Sequence, residues 1–234
     1  MFDGKDISCK KYIVAVIDIL GAKNLIMSSE QNKSLRDMHF IYDFTLQVQN
    51  KDYSIKIFSD NIVIAKIIPQ ERDGGLLSST IHDFLIFVGT YQWHLLNLGY
   101  LSRGGITIGD FYIDDTIVWG KALVQAHKLE EDRAIFPRVI VDESILKIYE
   151  LPKGYLSMLT IDFDGNHYID YLTYNLDCEL TKFPYILDII KAKAAEIVDE
   201  HIIEKYDWYI NYHRNIYDNY DIEDWKLRWN KVFA

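Results

Sequence analysis

Two aspartates stand where carboxylates could hold a metal ion. Asp18 closes the apolar run "KYIVAVIDIL". A charge after such a run is costly unless it is paired or metal-bound. Gly21 then breaks the strand pattern, and a helical pattern follows whose N-terminus offers backbone N–H groups to an anion. Asp60 lies in "SIKIFSDNIVIAKII", where Ser59, Asp60 and Asn61 interrupt two strand-like runs. Asp and Asn tolerate tight turns, so turn chemistry alone accounts for Asp60. The other account makes it a ligand held out by two rigid strands. Carboxylates at the same end of adjacent strands could share divalent ions that prefer oxygen. Paired ions about 4 Å apart activate a hydroxyl and stabilise a leaving pyrophosphate.

The elements that must position these residues follow from periodicity. Residues 11–20 read as a strand buried on both faces, and 22–49 as a helix. A hairpin spans 54–58 and 62–68, and "PQERDGG" is a loop. A long apolar helix covers 76–98 and stops at Gly99, the usual C-terminal position for glycine. "LSRGGITIGDFYID" is a strand whose glycines permit close approach of backbone or ligand. Residues 120–134 read as a helix and "PRVIVD" as a strand. This order predicts an α+β fold: a ferredoxin-like βαββαβ domain, an antiparallel sheet with helices on one face. Beyond it, "LTIDFDGNHYIDYL" predicts a hairpin turning at Asp164-Gly165, and 183–218 a single long helix rich in aromatics. The expected division is a catalytic-type domain over 11–150 and a C-terminal hairpin and helical extension over 151–234, packed on the same domain.

Composition narrows the function classes. Of 234 residues, 49% are hydrophobic and 26% charged, which fits a soluble globular enzyme. The formal net charge of -10 argues against a nucleic-acid backbone or an anionic membrane as partner. It leaves a single nucleotide open, because a bound divalent ion inverts the local field. Cys9 and Cys178 suggest neither a zinc site nor a disulfide scaffold. No signal peptide or membrane span is recognisable, so a cytoplasmic location is expected.

One helix carries a second set of polar candidates. Ala122, Ala126 and Leu129 form an apolar stripe, and Lys121, Gln125, Lys128 and Asp132 form the opposite one. The plain account is a solvated face with helix ion pairs. Histidines show no metal-ligand spacing, and His82 and His94 read as packed within an apolar helix. The aromatics Tyr206, Trp208, Tyr209, Tyr212 and Tyr217 read as packing residues rather than a base-stacking platform.

"VIDILGAK", "KIFSDNIVIA", "RGGITIGDFY" and "VWGKALVQAHKLE…FPRVIV" occur in the order found in class III nucleotide cyclases. The chain most resembles the bacterial pyrimidine cyclases of Pycsar antiphage defence, over roughly residues 12–141. This resemblance implies a homodimer with active sites at its interface and two divalent cations, Mn²⁺ or Mg²⁺. Asp18 and Asp60 match the metal-binding aspartates, and Ile19 the metal-ligating carbonyl. Backbone N–H groups around Leu20 and Gly21 match the phosphate-binding segment. Lys56 falls where purine cyclases carry a base-recognising lysine, and Arg103 matches the arginine of the "R-x-G-I" strand. Lys128 falls at the transition-state arginine.

Three departures stand out. Val124 replaces the family asparagine, with Gln125 beside it as a substitute. Lysine replaces arginine at 128, losing the forked phosphate contact but keeping the charge. Ile117 replaces the aspartate that reads adenine, which suits a different base. The resemblance thus implies conversion of a pyrimidine nucleoside triphosphate, UTP ahead of CTP, to its 3′,5′-cyclic monophosphate and pyrophosphate. The product would act on a separately encoded effector. The main alternative is an inactive, nucleotide-binding module of the same fold. A dinucleotide synthase is disfavoured, because "FSDN" stands where its "GG-D/E-E-F" hairpin would be. A plain interaction protein would leave Asp18 without a reason.

Overall fold

The computed structural model describes residues 7–48, 52–69, 74–153, 156–179 and 183–218. The first strand, β1 (Lys10–Ile19), is central. It pairs antiparallel with β3 (Asn61–Ile67) on one side and β4 (Ser102–Ile113) on the other. Its apolar residues fill both faces, as the unbroken run requires: Ile13, Ala15 and Ile17 enter the larger core, and Val14 and Val16 a smaller one. The edge strand β2 (Tyr53–Phe58) forms the expected hairpin with β3.

On the far side β4 pairs in parallel with β6 (Val139–Val141). The C-terminal hairpin of β7 (Leu159–Ile161) and β8 (His167–Ile169) extends the same sheet in the order β2-β3-β1-β4-β6-β8-β7. A short strand, β5 (Val118–Gly120), pairs with β4 off this path and has no counterpart in the sequence reading. The hairpin turns at Gly165, whose φ of 80° suits glycine.

The larger core lies under the long helix α3 (Gly74–Asn97), with Phe84, Phe87, Val88 and Tyr91 buried against the sheet. This helix ends as expected: Gly99 has φ 78°, and the N–H groups of Gly99 and Tyr100 close onto the Leu96 and Leu95 carbonyls. The α+β class is the one expected, but the sheet is mixed rather than antiparallel, since β4 and β6 run parallel, and its helices do not keep to one face. The helix α4 (Lys121–Asp132) lies on the second face of the sheet, where Ala122 and Ala126 pack against Val14, Val16 and Val63. It fits there because β4 presents glycine: a Cβ on Gly105 would meet the Ala126 carbonyl oxygen at 2.4 Å and Leu129 Cβ at 2.5 Å.

Two long helices of the sequence reading are each divided. The first becomes α1 (Ala22–Ile26) and α2 (Gln31–Val48), separated where Ser28 Oγ accepts from the Glu30 N–H at 3.0 Å. Such a local bond offers the backbone an alternative to the helix. After the four-residue α5 (Glu143–Leu146) and α6 (Tyr171–Glu179), the aromatic-rich segment forms α7 (Phe183–Ala195) and α8 (Glu200–Asp218). Asp199 caps α8 by accepting from the His201 N–H at 2.9 Å. Residues 70–73, Gln49 and the side chain of Tyr217 lie outside the described residues. Among the described residues no helix is long and apolar enough to cross a membrane.

Candidate functional site

Asp18 is the last charged position of β1 and sits directly opposite Asn61 of β3 and Arg103 of β4. Directly opposed residues share a face of the sheet. Alternation puts Asp18, Asn61 and Arg103 on the α4 face, together with Val14, Val16 and Val63. Asp60 occupies the turn between β2 and β3. Its carbonyl accepts from the Ile19 N–H at 3.2 Å, and its carboxylate accepts from Asn61 Nδ2 at 3.1 Å. The two aspartates therefore stand at the same end of adjacent strands, tied through Asn61 and Ile19. Ser59 beside Asp60 holds a positive φ of 59°, a left-handed position that non-glycine residues rarely adopt.

Arg103 is the organiser of this strand end. Its Nε donates to Asp18 Oδ2 at 3.1 Å, and its Nη2 lies 2.7 Å from Glu130 Oε1 on α4. Glu130 is almost fully buried, and burial raises its pKa against the opposing pull of Arg103. The sequence reading missed Glu130. Its signal was its spacing: four residues beyond Ala126 and eight beyond Ala122, it belongs to the buried stripe of α4.

Lys56 projects from β2 on the α4 face, opposite Val63, and its Nζ donates to the Asp115 carbonyl at 3.3 Å. That contact joins Lys56 to the loop carrying Ile117, folded by Asp114, which accepts from the Thr116 and Ile117 N–H groups at 2.7 Å each. Gln125 and Lys128 are exposed on α4, as are Lys121 and Asp132, while Ala122, Ala126 and Leu129 are buried, as the stripes predict. Lys128 is thus on the outer side of the helix that anchors Glu130 on its inner side. Ile117 and Trp119, just before α4, and Val124 on it are apolar and half-exposed or more.

The backbone beyond β1 departs from expectation. The Ile19 N–H is engaged by Asp60, and the Leu20 N–H by the Leu101 carbonyl at 2.9 Å. Leu20 therefore has no N–H to give a phosphate, because the strand pairing continues through it. Gly21, with φ 77°, is the first residue past the strand whose N–H makes no such bond among the described residues.

The donor set suits a hard cation. Asp18, Asp60 and the Ile19 carbonyl offer oxygen only, the preference of Mg²⁺ and Mn²⁺. Arg103 engages one oxygen of Asp18, and Asn61 one of Asp60. Among the described residues no group of three or more His, Cys, Asp or Glu side chains converges as a metal cage. His82 is buried with its Nδ1 2.7 Å from the Tyr149 hydroxyl, a packed histidine as expected. Tyr209 and Tyr212 are likewise buried packing residues.

Comparison with known proteins gives no match to any family's sequence profile and none to a curated protein. Solved structures do show similarity. The adenylyl cyclase CyaB from P. aeruginosa is 17% identical, covering 60% of this chain and 80% of that one, with a TM-score of 0.42. The guanylate cyclase domain of RhGC from Catenaria anguillulae, in complex with GTP, is 9% identical, covering 68% and 96%, with a TM-score of 0.48. A bacterial light-regulated adenylyl cyclase is 12% identical, covering 79% and 98%, with a TM-score of 0.44.

Proposed function

We propose that the protein is a metal-dependent nucleotide cyclase acting on a pyrimidine nucleoside triphosphate, UTP ahead of CTP. The observation that carries this reading is the placement of Asp18 and Asp60 at the same end of adjacent strands, with Arg103 and Lys56 on the α4 face of the sheet. The four sequence motifs that resemble class III cyclases supply the reaction. The ribose 3′ oxygen bonds to the α-phosphorus of the same molecule as the bond to pyrophosphate breaks, and the hydroxyl proton passes to solvent.

Asp18, Asp60 and the Ile19 carbonyl would hold two divalent cations, Mn²⁺ or Mg²⁺. Such cations make the hydroxyl more acidic and neutralise the leaving pyrophosphate. Lys56 and the Asp114–Ile117 loop meet the base, and an isoleucine there suits a ring other than adenine. Arg103 orients Asp18 through its Nε contact, and stands near the phosphates as a second source of positive charge. Gly21 gives its N–H to a phosphate oxygen, and Gln125 orients the substrate. Lys128 acts across a homodimer interface, stabilising charge that develops on the partner's substrate. The exposed apolar residues Ile117 and Trp119 just before α4 and Val124 on it support burial of this part of the surface in the homodimer. We place the enzyme in the cytoplasm, as a second-messenger synthase of antiphage defence whose product acts on a separately encoded effector.

Pyrophosphate release from UTP and CTP with Mn²⁺ tests the reading, with Asp60→Ala as its control. Activity lost in the variant supports the metal assignment, and activity at the wild-type rate would sink it. A second reading, a nucleotide-binding module without chemistry, is favoured by Val124 and Lys128 at positions where the family has asparagine and arginine. Triphosphate binding without pyrophosphate release would show it.

A further inference from the structure

We propose that Lys205 of the C-terminal helix α8 contacts the substrate's phosphates, so that the triphosphate is held partly by the extension beyond residue 150. The inference rests on the nucleotide reading above. A cavity of about 660 Å³ opens off the end of β1, between the turn that follows Asp18 and the corner joining α7 to α8. Leu20, Gly21 and Asn24 line one wall, and Lys193, Asp199 and Lys205 the other. An anion beside Gly21 would therefore face this second wall.

The cations of this region are not equivalent. Arg103 is held by Asp18 and Glu130. Lys193 donates to the Gly99 carbonyl at 2.6 Å and covers the Tyr100 ring at 5.2 Å. Lys205 makes no hydrogen bond or ion pair among the described residues, although half-buried. The carboxylates lining the cavity are Glu196, which is exposed, and Asp199, occupied in capping α8. Burial, then the repulsion of Arg103, lowers the Lys205 pKa, against the attraction of Asp18, Asp199 and Glu130. An ammonium partly withdrawn from water with no close partner is costly, and a phosphate beside it would offset that cost.

The helix carrying Lys205 is firmly set. Trp208, three residues on and on the same face, donates from Nε1 to Asp162 Oδ2 at 2.9 Å. Asp162 and Asp164 in turn pair with Arg138, which is fully buried at the start of β6. The C-terminal hairpin thereby fixes α8 to the sheet and Lys205 to the mouth of the cavity.

The test is equilibrium binding of UTP, CTP and inorganic tripolyphosphate to the full chain, by calorimetry, for wild type, K205Q and K205R. K205M, which retains the apolar stem, replaces K205Q should glutamine disturb α8. Loss of one charge-assisted phosphate contact predicts Kd values about ten- to hundredfold higher in K205Q for all three ligands. K205R should restore binding to within a few-fold. Unchanged Kd values in K205Q, with wild type binding normally, would overturn the role of Lys205 and leave the nucleotide reading intact. Wild-type protein that bound none of the three ligands would overturn both.

Discussion

Arg103 Nε lies 3.1 Å from Asp18 Oδ2, while its Nη2 lies 2.7 Å from Glu130, so two carboxylates from different elements share one guanidinium. The pairing links the end of the central strand to the inner face of α4. Removing one partner of such a buried group leaves charge uncompensated. Glu130→Ala is expected to lower stability by about 3 kcal/mol, read as a lower denaturant midpoint at unchanged slope. Glu130→Gln keeps an acceptor for Arg103 and should cost less.

The position of α4 depends on a missing side chain. A methyl on Gly105 would collide with the Ala126 carbonyl and Leu129, both on α4. Gly105→Ala is therefore expected to push the helix from the sheet, cost about 1–3 kcal/mol and withdraw Glu130 from Arg103. Thermal unfolding of the variant checks the first effect. Failure to form product under conditions where the variant stays folded checks the second.

The C-terminal hairpin gives the fold an acid-sensitive joint. Burial raises the Asp164 pKa, but hydrogen bonds from Arg138 and Asn166 outweigh it and hold the group at about 2, below the usual 3.8. A carboxylate depressed in the folded state stabilises above its unfolded pKa, and that stability is lost as pH falls through the folded value. Wild-type stability should thus decline between about pH 4 and pH 2. Asp164→Asn should flatten this decline while lowering stability at pH 7, both measurable by denaturant unfolding at several pH values.

Lys128 stands exposed on α4, two residues from the buried Glu130. If it acts on the partner's substrate, Lys128→Ala should lower kcat about 10²- to 10³-fold with little change in KM, the cost of removing a transition-state donor. Lys128→Arg should retain activity, since the forked guanidinium meets phosphate at least as well. Steady-state kinetics of the two variants separates this from a solvated lysine, which would leave kcat unmoved in both.

Much of this arrangement was legible in the sequence where a strong local pattern decides. β1, the hairpin around Asp60, α3 with its Gly99 stop, the Asp164-Gly165 turn and the two stripes of α4 all follow from periodicity and turn chemistry. The divided helices were not read, because Ser28 and Asp199 act through local hydrogen bonds that interrupt an otherwise continuous apolar pattern. Glu130 was hidden because a charged residue reads as solvent-facing unless its place on the buried stripe is weighed against its charge. The glycines of "RGGITIG" were read as points of close approach, and the approaching backbones are those of β1 at Gly104 and α4 at Gly105. Lys205 carried no signal, since only tertiary packing of α8 brings it near a strand almost two hundred positions earlier in the chain.

The most direct test of the central claim is incubation of the purified protein with each of the four ribonucleoside triphosphates and Mn²⁺, with products identified by mass spectrometry. The account predicts a single 3′,5′-cyclic pyrimidine monophosphate, lost in Asp18→Ala and Asp60→Ala. No cyclic product from any triphosphate, with the protein folded and dimeric, would contradict it.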